Sequence, residues 1–72
     1  MNEKYLTLVA EEAAEIIHAI CKIQRFGANT YWPKGGCMNS EALALEVGDF
    51  LEVLDRLGLP ADLIERGRAR KR

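Results

Sequence analysis

The chain has few of the residues that small proteins use to brace themselves. Its 72 residues include two cysteines and a single histidine. Cys21 falls inside a helical apolar pattern and Cys37 in a glycine-rich stretch, with no signal-peptide pattern before them, so no disulfide framework is expected. Two free thiols in a reducing cytoplasm is the plain reading, and cytoplasmic is the expected location. One histidine and two distant cysteines also give no zinc spacing. Apolar runs of bilayer length are absent, which excludes a helical membrane span. The formal net charge is only −1, so the chain as a whole is not built to sit on nucleic acid or an anionic membrane. A chain this short buries too little apolar surface to offset its ordering entropy comfortably. With disulfides set aside, a bound metal or association with further copies is left to supply the difference.

What is present is helical periodicity. Tyr5, Leu6, Val9, Ala13, Ile16, Ile17, Ile20 and Ile23 recur at three- and four-residue steps, which predicts a first helix over residues 2–26. Asn2 is placed to cap it, Glu3 suits its first turn, and Lys22 and Arg25 suit its end. Gly27 follows as a terminating glycine. Residues 28–40 form the one irregular stretch of any length, holding Pro33 and the Gly35–Gly36 pair. Loops of that length are often functional. A second helix is predicted over 41–57, capped by Asn39 or Ser40, with Leu43, Val47, Phe50, Leu51, Leu54 and Leu57 as its apolar stripe. Gly58 and Pro60 end it, and a short third helix over 61–70 turns from Leu63 and Ile64 to a strongly basic end.

The expected fold is therefore all-α and a single domain: an antiparallel helical hairpin plus a short C-terminal helix. Ile16, Ile17 and Ile20 on the first helix, with Phe50, Leu51 and Leu54 on the second, make stripes too wide for one partner. A second copy, completing a four-helix core, is the simplest way to cover them.

Chemistry enters through the acids. Glu11, Glu12 and Glu15 form an E-E-x-x-E run on the first helix, and Glu46 and Asp49 an E-x-x-D pair on the second. Residues three apart share a side of a helix. When the apolar stripes pack, Glu12, Glu15, Glu46 and Asp49 can face one another across the groove. Left alone, such carboxylates repel. Mg²⁺ removes the repulsion, because it takes oxygen ligands and keeps positions for water and substrate phosphates. Bound there, it would polarise a phosphoryl oxygen and acidify an attacking water. Glu11 or Glu12, if not fully used as ligand, would orient or deprotonate that water. Either motif alone is ordinarily a solvated helix face; two matched pairs beside consecutive apolar seams are harder to read that way. Gly48 adds to this, since a mid-helix glycine costs about 1 kcal/mol relative to alanine and close approach of a helix or ligand would compensate.

At these residues the sequence resembles the all-α nucleoside triphosphate pyrophosphohydrolases, the MazG-like group, and is most similar to their short phage- and bacterium-type members. The family pattern reads here as Glu11-Glu12-Ala13-Ala14-Glu15 and Glu46-Val47-Gly48-Asp49. Leu8-Val9-Ala10, Arg25-Phe26-Gly27 and Phe50-Leu51-Glu52-Val53-Leu54-Asp55 flank the motifs in similar fashion, and the likeness covers residues 5–58. The resemblance implies Mg²⁺-dependent cleavage of a nucleoside triphosphate between its α- and β-phosphates, releasing a monophosphate and pyrophosphate, with Mn²⁺ as the alternative metal. It implies Glu12, Glu15, Glu46 and Asp49 as metal ligands, Glu11 as their neighbour or base, and a homodimer or homotetramer.

Other residues are weaker candidates. Lys22 and Arg25 can reach a substrate phosphate or simply serve the helix dipole. Trp32 and Tyr31 can stack on a base or cover a core edge, with Lys34 beside them. Lys34-Gly35-Gly36 lacks the spacing of a phosphate loop. His18 reads best as a polar residue near an interface, and the basic tail as a solvated end rather than an RNA-binding one. Two rival functions stay open: a module that binds nucleotide without cleaving it, and a helical interaction module whose carboxylates are surface charge.

Overall fold

A computed structural model describes residues 1–30 and 38–72. It is all-helical, with α1 (Glu3–Phe26), α2 (Asn39–Asp55) and α3 (Ala61–Lys71) in chain order. The Asn2 side-chain oxygen accepts from the Lys4 amide at 2.8 Å and the Tyr5 amide at 3.3 Å, satisfying two of the donors that a helix start leaves open. At the other end the Gly27 amide donates to the Ile23 carbonyl at 2.8 Å. Gly27 has φ 93°, a backbone that side-chain-bearing residues avoid. The Thr30 hydroxyl donates to the Phe26 carbonyl, closing the turn further. Arg25 alone supplies a cation in the last turn of α1; Lys22 lies one turn earlier.

The second helix departs from its expected limits at both ends. Neither Asn39 nor Ser40 caps it; both are already helical, and Met38 stands at the cap position. There the Glu41 carboxylate accepts from the Met38 amide at 2.9 Å. Asn39 is used differently, being one of only two buried residues among those described, at 5% exposure. Its side-chain amide donates to the Gly27 carbonyl at 3.0 Å. The Asn39 and Ser40 amides donate to the carbonyls of Thr30 and Ala28. Helix α2 ends at Asp55, two residues early, because the amides of Arg56, Leu57 and Gly58 turn back to carbonyls three residues behind them. Gly58 reverses the chain at φ 67°.

Helices α1 and α2 pack against each other, and this is the one helix pairing among the described residues. Their register is antiparallel: Glu15, Ala19 and Lys22 share a recess with Glu46, Ala42 and Asn39. Ala19, at 7% exposure, is the only buried apolar residue described, and no large side chain is fully buried. Ile17 (62%), Ile20 (40%) and Leu51 (54%) stay open to solvent, as the width of the apolar stripes predicts. Helix α3 packs on neither partner. The radius of gyration is 14.5 Å, against about 11 Å for a compact chain of this length. The hairpin thus leaves much of its apolar surface uncovered among the described residues. No described helix is long and apolar enough to cross a membrane.

Candidate metal centre

The antiparallel register sets the acidic segment of α1 against that of α2. Glu12, Glu46 and Asp49 each offer a carboxylate oxygen, and these atoms lie within 4.8 Å of one another. Glu12 comes from α1 and the other two from successive turns of α2, so the trio depends on the packing of the two helices. Glu12 and Glu46 are half-buried and Asp49 is exposed. That gradient gives a site closed on the helix side and open to solvent on the other.

Electrostatics mark Glu12 within the trio. Its carboxyl is held above the usual carboxylate range, by partial desolvation first and then by the charges of Asp49, Glu46, Glu15 and Glu11 in that order. Three oxygen donors with no nitrogen or sulfur among them suit a hard divalent cation. An octahedral Mg²⁺ sets neighbouring oxygens about 3 Å apart and opposite ones about 4 Å apart, so modest side-chain rotation closes the trio on one ion.

Glu15, the fourth expected ligand, is not in this group. It lines a shallow recess next to the trio with His18, Ala19, Lys22, Asn39, Ala42 and Glu46. Glu46 belongs to both places and joins them. Glu15 still acts on the trio through its charge, as the elevation of the Glu12 carboxyl requires. Glu11 is exposed one residue from Glu12 and contributes to the same field.

The remaining candidates divide by position. Lys22 is half-buried and borders the recess. His18 borders it too, with its side chain exposed. Arg25 lies thirteen residues from Glu12, about 20 Å along the helix, with its guanidinium 5.3 Å from the centroid of the Phe26 ring. Tyr31, Trp32, Lys34 and Cys37 lie outside the described residues. Cys21 is a free, exposed thiol. Gly48 sits between Glu46 and Asp49, yet nothing described in this chain comes within 4 Å of where its Cβ would stand. The close approach expected at that glycine is therefore not made by any described residue of the chain.

Asn39 and Ala42 are recess residues that the sequence reading missed. Asparagine at a helix start is more commonly a cap, and no local pattern separates the two uses. The chain matches no family model, no curated protein and no solved structure at a significant level.

Proposed function

We propose that the chain is a Mg²⁺-dependent nucleotide pyrophosphohydrolase, cleaving a nucleoside triphosphate to its monophosphate and pyrophosphate. The observation that carries this reading is the meeting of Glu12 from α1 with Glu46 and Asp49 from α2, in the register that the paired motifs require. The resemblance of those motifs to the MazG-like enzymes supports the pyrophosphohydrolase reaction, and the all-oxygen donor set supports the metal.

In this reading Glu12, Glu46 and Asp49 would hold the cation, with Glu15 in the adjoining recess as the fourth carboxylate that could reach it. The ion would polarise the phosphoryl oxygens and acidify a bound water. Glu11, exposed and next to the ligand set, would be the residue to orient an attacking water and accept its proton. Lys22, at the far edge of the recess, faces the anionic substrate. The exposed Ile17, Ile20 and Leu51 support assembly into a dimer or tetramer, which would also wall the open side of a nucleotide site.

The test is pyrophosphate release across a panel of standard and modified triphosphates, with Mg²⁺ or Mn²⁺. No turnover on any of them sinks the enzymatic reading. Tight calorimetric binding with the nucleotide recovered intact would replace it with a sequestering module.

A further inference from the structure

Helix α3 stands alone among the described residues, and its composition is not that of a helix meant to do so. It has 11 residues, too few for stability in water without tertiary support. Gly67 at its centre removes about 1 kcal/mol more relative to alanine. Its ion pairs are local and exposed: Glu65 meets Arg68 at 3.8 Å and Arg72 at 3.2 Å. Such pairs contribute only tenths of a kcal/mol.

Those pairs divide the arginines of α3 and its C-cap into two sets. Arg68 and Arg72 are engaged by Glu65. Arg66 and Arg70, one turn apart, instead line a groove with Leu63 and Gly67. Leu63 is 52% exposed, and a Cβ at Gly67 would meet nothing within 4 Å. This face therefore offers one apolar side chain, open backbone, and two guanidiniums without an ion-pair partner among the described residues.

The outer face of α2 carries the complement. Leu45, Gly48, Glu52 and Asp55 recur at three- and four-residue steps on the side turned away from α1. Leu45 is 65% exposed, more than any other large apolar residue of the three helices. Gly48 is as open as Gly67. Helix α2 has five carboxylates and no basic residue. Asp55 and Glu52 also crowd its C-terminal end, where the macrodipole disfavours negative charge; Arg56 at the C-cap is the nearest cation, and no ion pair joins it to either acid among the described residues. Two carboxylates three residues apart match two guanidiniums four residues apart.

We infer that α3 docks in trans, laying Leu63 and Gly67 against Leu45 and Gly48 of a second copy, with Arg66 and Arg70 on that copy's Glu52 and Asp55. Each chain then gives one α3 and receives one, a reciprocal two-fold exchange. The inference does not rest on the catalytic reading, because none of these residues holds the metal.

The test is sedimentation equilibrium on the full chain and two charge-reversed variants, Arg66→Glu/Arg70→Glu and Glu52→Arg/Asp55→Arg. Wild type is expected to self-associate, and each variant alone to do so at least about tenfold more weakly. An equimolar mixture of the two is expected to regain association, since each variant's α3 then opposes a complementary α2 only across the interface. A monomeric wild type, variants that associate as tightly as wild type, or a mixture that stays apart overturns the proposal. If a reversed chain loses its helical circular dichroism, Arg66→Gln/Arg70→Gln decides, and it must weaken association in the same direction.

Discussion

The side chain of Asn39 spans the gap between the two packed helices and donates to the Gly27 carbonyl at 3.0 Å. It is at once the first residue of α2 and the tie to the end of α1. Replacing it with alanine removes the tie and leaves the Gly27 carbonyl to find another partner. The expected loss is about 1–2 kcal/mol of stability, read as a lower midpoint in urea with an unchanged slope. A midpoint equal to wild type would mean that the Thr30 and Ala28 carbonyls, which accept from the Asn39 and Ser40 amides, hold the junction by themselves.

The second prediction concerns pH. The Glu12 carboxyl titrates above its ordinary range because folding partly desolvates it and gathers four other carboxylates near it. A carboxyl raised in this way binds protons more tightly in the folded state than in the unfolded one. Its stabilising contribution is full below the ordinary carboxylate pKa and is lost as pH rises through the raised value. In EDTA the melting temperature should therefore fall from about pH 4 toward neutrality. Added Mg²⁺ should reverse the fall at neutral pH and do little near pH 4, where the ligand is protonated. Glu12→Gln should flatten both dependences. A metal-free melting curve that rises steadily over this range, and ignores Mg²⁺, would return the trio to plain surface charge.

What was legible in the sequence was local. The cap at Asn2, the reversal at Gly27, and the period of the apolar residues each depend on a few neighbours, and the structure has all three. The pairing of Glu12 with Glu46 and Asp49 was legible for a related reason, since antiparallel packing through two known stripes leaves little choice of register. The double use of Asn39 was not, because its partner is twelve residues away. Nor was the separation of Glu15 from the trio, since a spacing of three residues puts Glu12 and Glu15 on one side of α1 without fixing where each carboxylate points. The isolation of α3 was hidden as well: nothing in its spacing shows that Leu63 and Ile64 stay exposed, at 52% and 42%.

Gly48 gives a third test. No described residue of the chain would meet a Cβ there, so Gly48→Ala should stabilise α2 by up to about 1 kcal/mol in the monomer. If α3 of a second copy approaches there, the same methyl group stands in the interface. Urea melts at low concentration should then show a gain, while sedimentation shows weaker self-association. A gain in both measurements would leave Gly48 without a contact role.

The last prediction separates the trio from the recess by kinetics. Asp49→Asn removes an anionic oxygen from the group within 4.8 Å of Glu12. It should lower kcat/KM for pyrophosphate release by about 100-fold or more, since even groups that only support a metal ligand cost 10–100-fold. Glu15→Gln tests whether the recess acid turns inward when metal and substrate arrive. If it becomes a ligand, its loss should match that of Asp49 and raise the Mg²⁺ concentration needed for half-maximal rate. If it acts only through charge, the metal requirement should shift little and the pH profile should move, because one of the four charges that raise Glu12 is gone. Lys22→Met, at the far edge of the recess, should instead raise KM for the triphosphate with little change in the metal requirement. Equal, small effects from all three substitutions would place the chemistry elsewhere in the molecule.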